Sequence, residues 1–246
     1  MTTARLDRLL ANLGYGSRRE VQHMAAVGLV QFDGAPIKDG AKHVPIGPDL
    51  PQRLTVRGEP LDPPAPLALM MHKPLGVVCS HKEEGERVYD LLPPRWRARD
   101  PALSTIGRLD KETSGLLLIT DDGRLLHRVI SPKSHVPKRY RAVLDRPLAG
   151  TEAALFASGE LMLEGEDKPL LPAALDVLAP TEARLTITEG RYHQVRRMFA
   201  AVGNHVTALH RETVGGLELP ADLAPGAIRI LTPADLAAIF ELRTSG

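Results

Sequence analysis

Along the first quarter of the chain the apolar positions change period. Leu6, Leu9, Leu10 and Leu13 recur at the i, i+3, i+4, i+7 spacing of one helical face, which predicts a short helix over residues 5–13. Gly14-Tyr15-Gly16 interrupts it. Ser17, followed three residues on by Glu20, has the form of a capping box and starts a second helix over residues 18–26, expected to stop at Gly28. Residues 29–32 and 35–38 flank Asp33-Gly34, the dipeptide that supplies the positive φ angles of a two-residue turn, and read as a hairpin. These pieces make one small unit, residues 1–59. Four prolines then crowd residues 60–66, a stiff and extended composition expected of a linker.

Residues 67–246 form the second expected unit. Apolar or alternating runs predict strands over residues 67–71, 76–79, 116–120, 140–144, 173–178, 183–187, 205–209 and 228–231. Helical spacing predicts helices over 124–130, 151–157, 191–202 and 233–242, the last with Thr232 as N-cap and Pro233 at its first position. Strands and helices follow one another without regular alternation and without an internal repeat. An α+β domain on a mainly antiparallel mixed sheet fits that order.

Composition narrows the classes. With 43% apolar and 25% charged residues the chain is expected to fold as an ordinary globular protein. Cys79 is the single cysteine, which excludes an intrachain disulfide and a thiolate zinc cluster. The nine histidines contain no His-Glu-x-x-His run, so no metal site is expected. No stretch approaches the roughly 18 apolar residues of a membrane span and no secretory leader precedes the first helix, so a cytoplasmic protein is expected. No long exposed apolar stripe is evident, which favours a monomer. The net charge of +1 hides an asymmetry: residues 104–146 carry nine Lys/Arg against five Asp/Glu, whereas residues 147–188 carry two against seven. One part of the chain can meet phosphates while another repels them, although solvated faces would give the same count.

The common nucleotide and hydrolase signatures are absent. There is no Gly-x-Gly-x-x-Gly, no phosphate loop ending in Gly-Lys-Ser/Thr, and no Gly-x-Ser-x-Gly elbow around Ser114. Asp121-Asp122-Gly123 offers paired carboxylates for a hydrolase, but is more simply a turn leading into a helix. What stands out is Gly107-Arg108-Leu109-Asp110-Lys111-Glu112-Thr113-Ser114-Gly115, a polar loop running straight into an apolar strand, where a carboxylate would be held on a rigid scaffold. A second cluster, Arg191-Tyr192-His193-Gln194-Val195-Arg196-Arg197, opens a helix with cations fit for a phosphate or a buried acid. On their own, the first also admits a turn capped by Asp110 and the second a solvated helix face.

Gly107-Arg108-Leu109-Asp110, then Lys138-Arg139-Tyr140, then Glu189-Gly190-Arg191-Tyr192-His193-Gln194-Val195-Arg196-Arg197-Met198 together resemble the RsuA branch of the pseudouridine synthases. Residues 188–205 are especially similar to the branch members that act on the small ribosomal subunit; large-subunit relatives commonly carry Arg-Gln or Arg-Glu at His193-Gln194. Residues 5–40 are similar to the S-four RNA-binding domain, so the resemblance spans the chain. It implies that Asp110 is the essential aspartate, that Tyr140 stacks on the target base, that Leu185 packs against it, and that Arg196 pairs with Asp110. It also implies that Arg108, Leu109, His193 and Gln194 contact substrate. His72 departs from the family pattern, where an asparagine is usual.

The implied reaction breaks the bond from ribose C1′ to uracil N1 and joins C1′ to C5, with nothing oxidised or hydrolysed, so no cofactor is expected. An ionised carboxylate can serve as nucleophile, or as the base that removes the ribose 2′ proton to give a glycal. A guanidinium beside it would keep it charged in an apolar pocket. Extruding the base costs a few kcal/mol, and stacking on a phenol ring returns about 1–3 kcal/mol. Arg18 and Arg19, at the start of the second predicted helix, are placed to hold an RNA phosphate. The expected partner is ribosomal RNA, of the small subunit by the resemblance. The alternatives are a synthase of large-subunit RNA, and a non-catalytic RNA-binding or ribosome-assembly protein for which the first domain alone would suffice.

Overall fold

The computed structural model of the chain describes residues 2–80 and 83–241. It divides into two compact units, one comprising residues 1–68, 92–104 and 120–122 and the other the remainder.

In the first unit, β1 (Thr3–Arg5) leads into α1 (Leu6–Asn12), and α2 (Arg18–Ala26) follows with Ser17 as N-cap. The expected capping box is formed in both directions, with the Glu20 N–H donating to Ser17 Oγ and the Ser17 N–H to Glu20 Oε2. β2 (Val30–Phe32) and β3 (Ala35–Pro36) make the hairpin, turning through Asp33 and Gly34 at positive φ. β4 (His43–Pro45) pairs with β1, and α3 (Leu50–Arg53), β5 (Leu54–Val56) and β6 (Glu59–Pro60) complete a sheet ordered β3-β2-β5-β6. Leu6, Leu10, Val21, Val30 and Leu54 are fully buried in its core. Each such leucine contributes about 1.5–3 kcal/mol.

The linear division of the sequence gives way here in two respects. Residues 60–66 are not a free linker, because Leu61 is buried in this same core and the Asp62 N–H donates to the Tyr15 hydroxyl at 3.0 Å. Nor does the second unit run unbroken from residue 67. The Asp100 N–H donates to the Asn12 carbonyl, Arg95 lies over the Tyr15 ring and pairs with Asp62, and Arg99 forms a fully buried 3.0 Å ion pair with Asp121. Contacts this distant in sequence leave no trace in periodicity.

The second unit is built on one sheet, of nine strands among the described residues. In chain order its elements are β7 (Ala68–Lys73), β8 (Ser104–Ile106), β9 (Thr113–Thr120), α4 (Gly123–Ile130), β10 (Lys138–Leu144), α5 (Glu152–Ser158), β11 (Ala174–Ala179), β12 (Glu182–Ile187), α6 (Gln194–Ala201), β13 (Val206–Val214), β14 (Leu217–Glu218), β15 (Ile228–Ile230) and α7 (Pro233–Ala238). The strand order is β11-β12-β10-β13-β9-β7-β15, with β14 beside β13 and β8 beside β9. β13 runs parallel to β9, while the pairings of β10 with β12 and β13, of β11 with β12, of β13 with β14 and of β7 with β15 are antiparallel.

Residue pattern follows position in the sheet. β7 and β9 are interior strands of the sheet, and their apolar runs are buried almost continuously, as strands covered on both faces must be. β10 and β12 alternate buried and exposed positions, so Tyr140, Ala142 and Leu144 face inward. Residues 76–79 make only an isolated bridge, Val78 to Arg87, instead of the expected strand. α6 starts at Gln194 and not at residue 191, because His193 adopts φ 48° and breaks the helical path. α7 has the expected Thr232 cap, reinforced by Asp235; residue 242, its expected end, lies outside the described residues.

Candidate active site

The turn that carries Asp110 is built before its strand begins. Gly107 sits at φ 72°, a left-handed conformation open to glycine, and lets the chain reverse out of β8. Leu109 is buried, with its N–H directed at Cys79 Sγ, and the Thr113 N–H closes the turn on the Asp110 carbonyl at 3.0 Å. Arg108 points outward and pairs with Glu83.

Two cations hold this turn by its backbone. Lys73, fully buried at the end of β7, donates from Nζ to the carbonyls of Thr113 at 2.9 Å and Pro74 at 3.0 Å. Arg196 on α6 donates from Nη2 to the Glu112 carbonyl at 2.9 Å and from Nη1 to the Val206 carbonyl at 2.8 Å. The expected ion pair between Arg196 and Asp110 is not formed. The guanidinium spends its donors on main-chain oxygens, one of them two residues beyond the aspartate, and thereby fixes the turn instead of neutralising the acid. The acid's partner is His193, whose Nε2 lies 3.3 Å from Asp110 Oδ1. The Asp110 side chain keeps 29% of its surface exposed.

Tyr140 is set by sheet register. Leu175, Leu185, Tyr140, Arg211 and Gly115 are aligned partners across β11, β12, β10, β13 and β9, and aligned residues share a face. Leu185 is therefore beside Tyr140 on the inward face, fully buried. On the other side lies Arg211, its Nη1 at 3.5 Å from the Tyr140 hydroxyl and its Nε donating to the Leu116 carbonyl at 2.7 Å. Only glycine fits at 115: it sits at φ 113°, and a Cβ there would lie 2.3 Å from the Arg211 carbonyl oxygen.

Positive charge gathers around this row. Burial pushes the Lys138 amine down to about 8, and the neighbouring Arg211 charge adds to that shift. Burial also lowers Lys73, opposed by the nearby carboxylates of Asp110 and Glu112. Arg211, almost wholly buried, leaves its Nη2 without a hydrogen-bond partner. Buried cations of this kind favour a nearby anion.

Gln194 braces the neighbouring loop from within, accepting from the Arg191 N–H and donating to Glu189. Arg191 in turn grips Glu189, Glu166 and the carbonyls of Lys168 and Pro169, so residues 189–194 are fixed from several directions. In the first unit Arg18 donates to Asp7 at 3.0 Å, while Arg19 is exposed and makes no side-chain bond or ion pair among the described residues.

Sequence reasoning passed over Lys73 and Arg211. The available signals were a lysine ending an apolar strand and an arginine at an inward position of an alternating one. On the opposite face of the sheet, a concavity of about 310 Å³ is lined by Lys111, Glu112, Ser114, Arg141 and His210, with Ser114 Oγ 2.9 Å from His210 Nδ1. It includes neither Asp110 nor Tyr140, and the acid-bearing turn, not this hollow, gathers the groups suited to the chemistry.

Comparison with known proteins places this fold among RNA-modifying enzymes. A family model described as RNA pseudouridylate synthase matches residues 68–201, and one described as the S4 domain matches residues 4–48. Ribosomal small subunit pseudouridine synthase A of Escherichia coli K12 is 42% identical over 240 residues, covering 96% of this chain and 99% of that protein. The uncharacterized RNA pseudouridine synthase YtzG of Bacillus subtilis 168 is 43% identical over 242 residues, covering 96% and 98%. A crystal structure of a pseudouridylate synthase superposes with a TM-score of 0.67 at 35% identity, covering 96% of this chain and 99% of that one. The chain belongs to the RNA pseudouridine synthase family. It is an isomerase that converts uridine to pseudouridine in RNA, with an S4 RNA-binding domain at its N-terminal end. Among the described residues no helix is long and apolar enough to cross a membrane.

Proposed function

We propose that the chain isomerises one uridine of small-subunit ribosomal RNA, with Asp110 as the catalytic carboxylate. The observation that carries this reading is the state of Asp110: a partly exposed carboxylate, on a turn clamped through its backbone by Lys73 and Arg196, whose only close side-chain partner among the described residues is an imidazole. The acid retains lone pairs for substrate while its position is fixed. It serves as nucleophile or as the base for the 2′ proton, which it then returns; in either case the C1′–N1 bond breaks, the uracil turns, C1′ joins C5, the C5 proton is released and N1 takes up a proton.

Tyr140 stacks on the extruded uracil against Leu185, and its hydroxyl assists removal of the C5 proton. Arg196 is a positioning residue in this account, Arg108 and His193 frame the substrate at the turn, Leu109 and Gln194, expected at the substrate, are buried and support that frame from within, and Arg18 and Arg19 hold RNA phosphate. No cofactor is required, and the protein acts as a monomer. The choice of small-subunit RNA is supported by the similarity to the small-subunit enzymes and by His193-Gln194 in the motif. It is tested by tritium release from ribosomal RNA labelled at uridine C5. Release from small-subunit RNA and none from large-subunit RNA is expected; the reverse would move the target to the large subunit.

A further inference from the structure

Tyr192 leaves most of its ring in solvent on a fixed backbone. It is 76% exposed, more than any other large apolar side chain among the described residues, and the other three tyrosines of the chain are buried or half-buried. An aromatic ring left in water normally sits on a mobile segment. Here the backbone is pinned instead, since Arg191 on one side is gripped by Glu166 and Glu189 and the Tyr192 carbonyl itself accepts from Arg197 at 3.2 Å.

The ring lies parallel to that of His193, with centroids 3.9 Å apart and planes 16° from coincidence. This stack depends on the left-handed conformation of His193, one of four non-glycine positive-φ residues among those described. His193 in turn reaches Asp110. The order is therefore carboxylate, imidazole, phenol, and then an open π face pointing to solvent. A rigid, sequence-tolerant stacking surface one ring away from the reacting group suits an unpaired base.

We propose that the outer face of Tyr192 is a stacking site for an unpaired base of the substrate RNA adjacent to the target uridine. The proposal rests on the reading of Asp110 as the site of reaction. It assigns Tyr192 to binding, not to chemistry: the base caps the Tyr192-His193 stack, holds the flanking nucleotide outside the duplex, and fixes the register in which the next nucleotide meets Asp110. Flanking sequences that cannot supply an unpaired base at that position would be poor substrates.

The test compares wild type with Tyr192→Phe, Tyr192→Leu and Tyr192→Ala, all at a solvent-exposed position that leaves folding undisturbed. In tritium release from C5-labelled small-subunit RNA, Tyr192→Phe should stay within about twofold of wild type. Tyr192→Leu and Tyr192→Ala should lose about five- to 150-fold in kcat/KM, with the loss in KM. A second readout needs no turnover: an RNA fragment with 2-aminopurine on either side of the target uridine is titrated with each protein, including Asp110→Asn. Quenching by wild type, Tyr192→Phe and Asp110→Asn but not by Tyr192→Leu supports the stacking site even if the carboxylate assignment fails. Equal quenching by all five proteins, quenching by none, or an unchanged KM in Tyr192→Leu overturns it while leaving the Asp110 reading standing.

Discussion

Asp7 in the first unit and Asp110 in the second both follow an Arg-Leu pair and precede a cation in sequence, and they live in opposite circumstances. Asp7 is fully buried and saturated: Arg5 donates twice, Arg18 and Gln22 once each, and these bonds, the Arg5 one foremost, hold its carboxyl well below the usual carboxylate range. It ties the start of α1 to α2. Asp110 keeps part of its surface in solvent and has a single imidazole at 3.3 Å, while the nearby cations Lys73 and Arg196 bind the backbone of its turn. A carboxylate whose lone pairs are all taken can only hold a fold together. One whose backbone is fixed and whose oxygens are left open can act on a substrate.

The comparison can be broken in several places, beginning with the largest effect. Arg196→Met or Lys73→Met should leave Asp110 present but on a loosened turn, lowering kcat about a hundredfold. If single-turnover rates stay unchanged in both, the clamp has no catalytic role. Asp7→Asn should do the reverse, costing about 2–3 kcal/mol in urea unfolding with turnover at saturating RNA preserved; the figure is kept below that of a fully buried pair because Arg5 and Arg18 are half exposed. Since the folded pKa of Asp7 is depressed, its contribution is present above the ordinary value near 3.8 and is lost as the pH falls further, so the variant should converge with wild type in acid.

Lys138 sharpens the contrast from the alkaline side. Its folded value of about 8 lies below the ordinary 10.5, so the unfolded chain binds more protons between those limits and stability should rise with pH across that window. Thermal melts of Lys138→Met should lack that rise. The smallest effect belongs to Arg19. Arg19→Ala should leave the melting temperature unchanged and reduce the salt dependence of RNA binding by about one unit of slope, whereas Arg18→Ala should also lower stability through Asp7.

Much of this arrangement was legible in the chain. The capping box at Ser17 and Glu20, the Asp33-Gly34 hairpin, the Thr232 cap and the apolar runs of β7 and β9 are local signals, and the structure carries each. The boundary between units was not legible, because it depends on Arg99 reaching Asp121 and Asp100 reaching Asn12 across long sequence separations. At the site, the motifs pointed to Asp110, Tyr140 and Leu185, and the register of β10 with β12 places the last two in one row. Which donor each cation would choose could not be read in the same way. Arg196 and Lys73 turn to carbonyls, a choice set by the path of the backbone around the turn, and the role of His193 follows from a single left-handed residue.

The most direct test of the central claim is turnover by Asp110→Asn, which removes the charge and preserves the shape. The substitution leaves the clamped backbone untouched, so the melting temperature should match wild type and RNA should still bind. Tritium release from C5-labelled small-subunit RNA should fall by more than about a thousandfold. Release at a rate near that of wild type from a folded Asp110→Asn protein would contradict the account, because the carboxylate would then be no more than the cap of a turn.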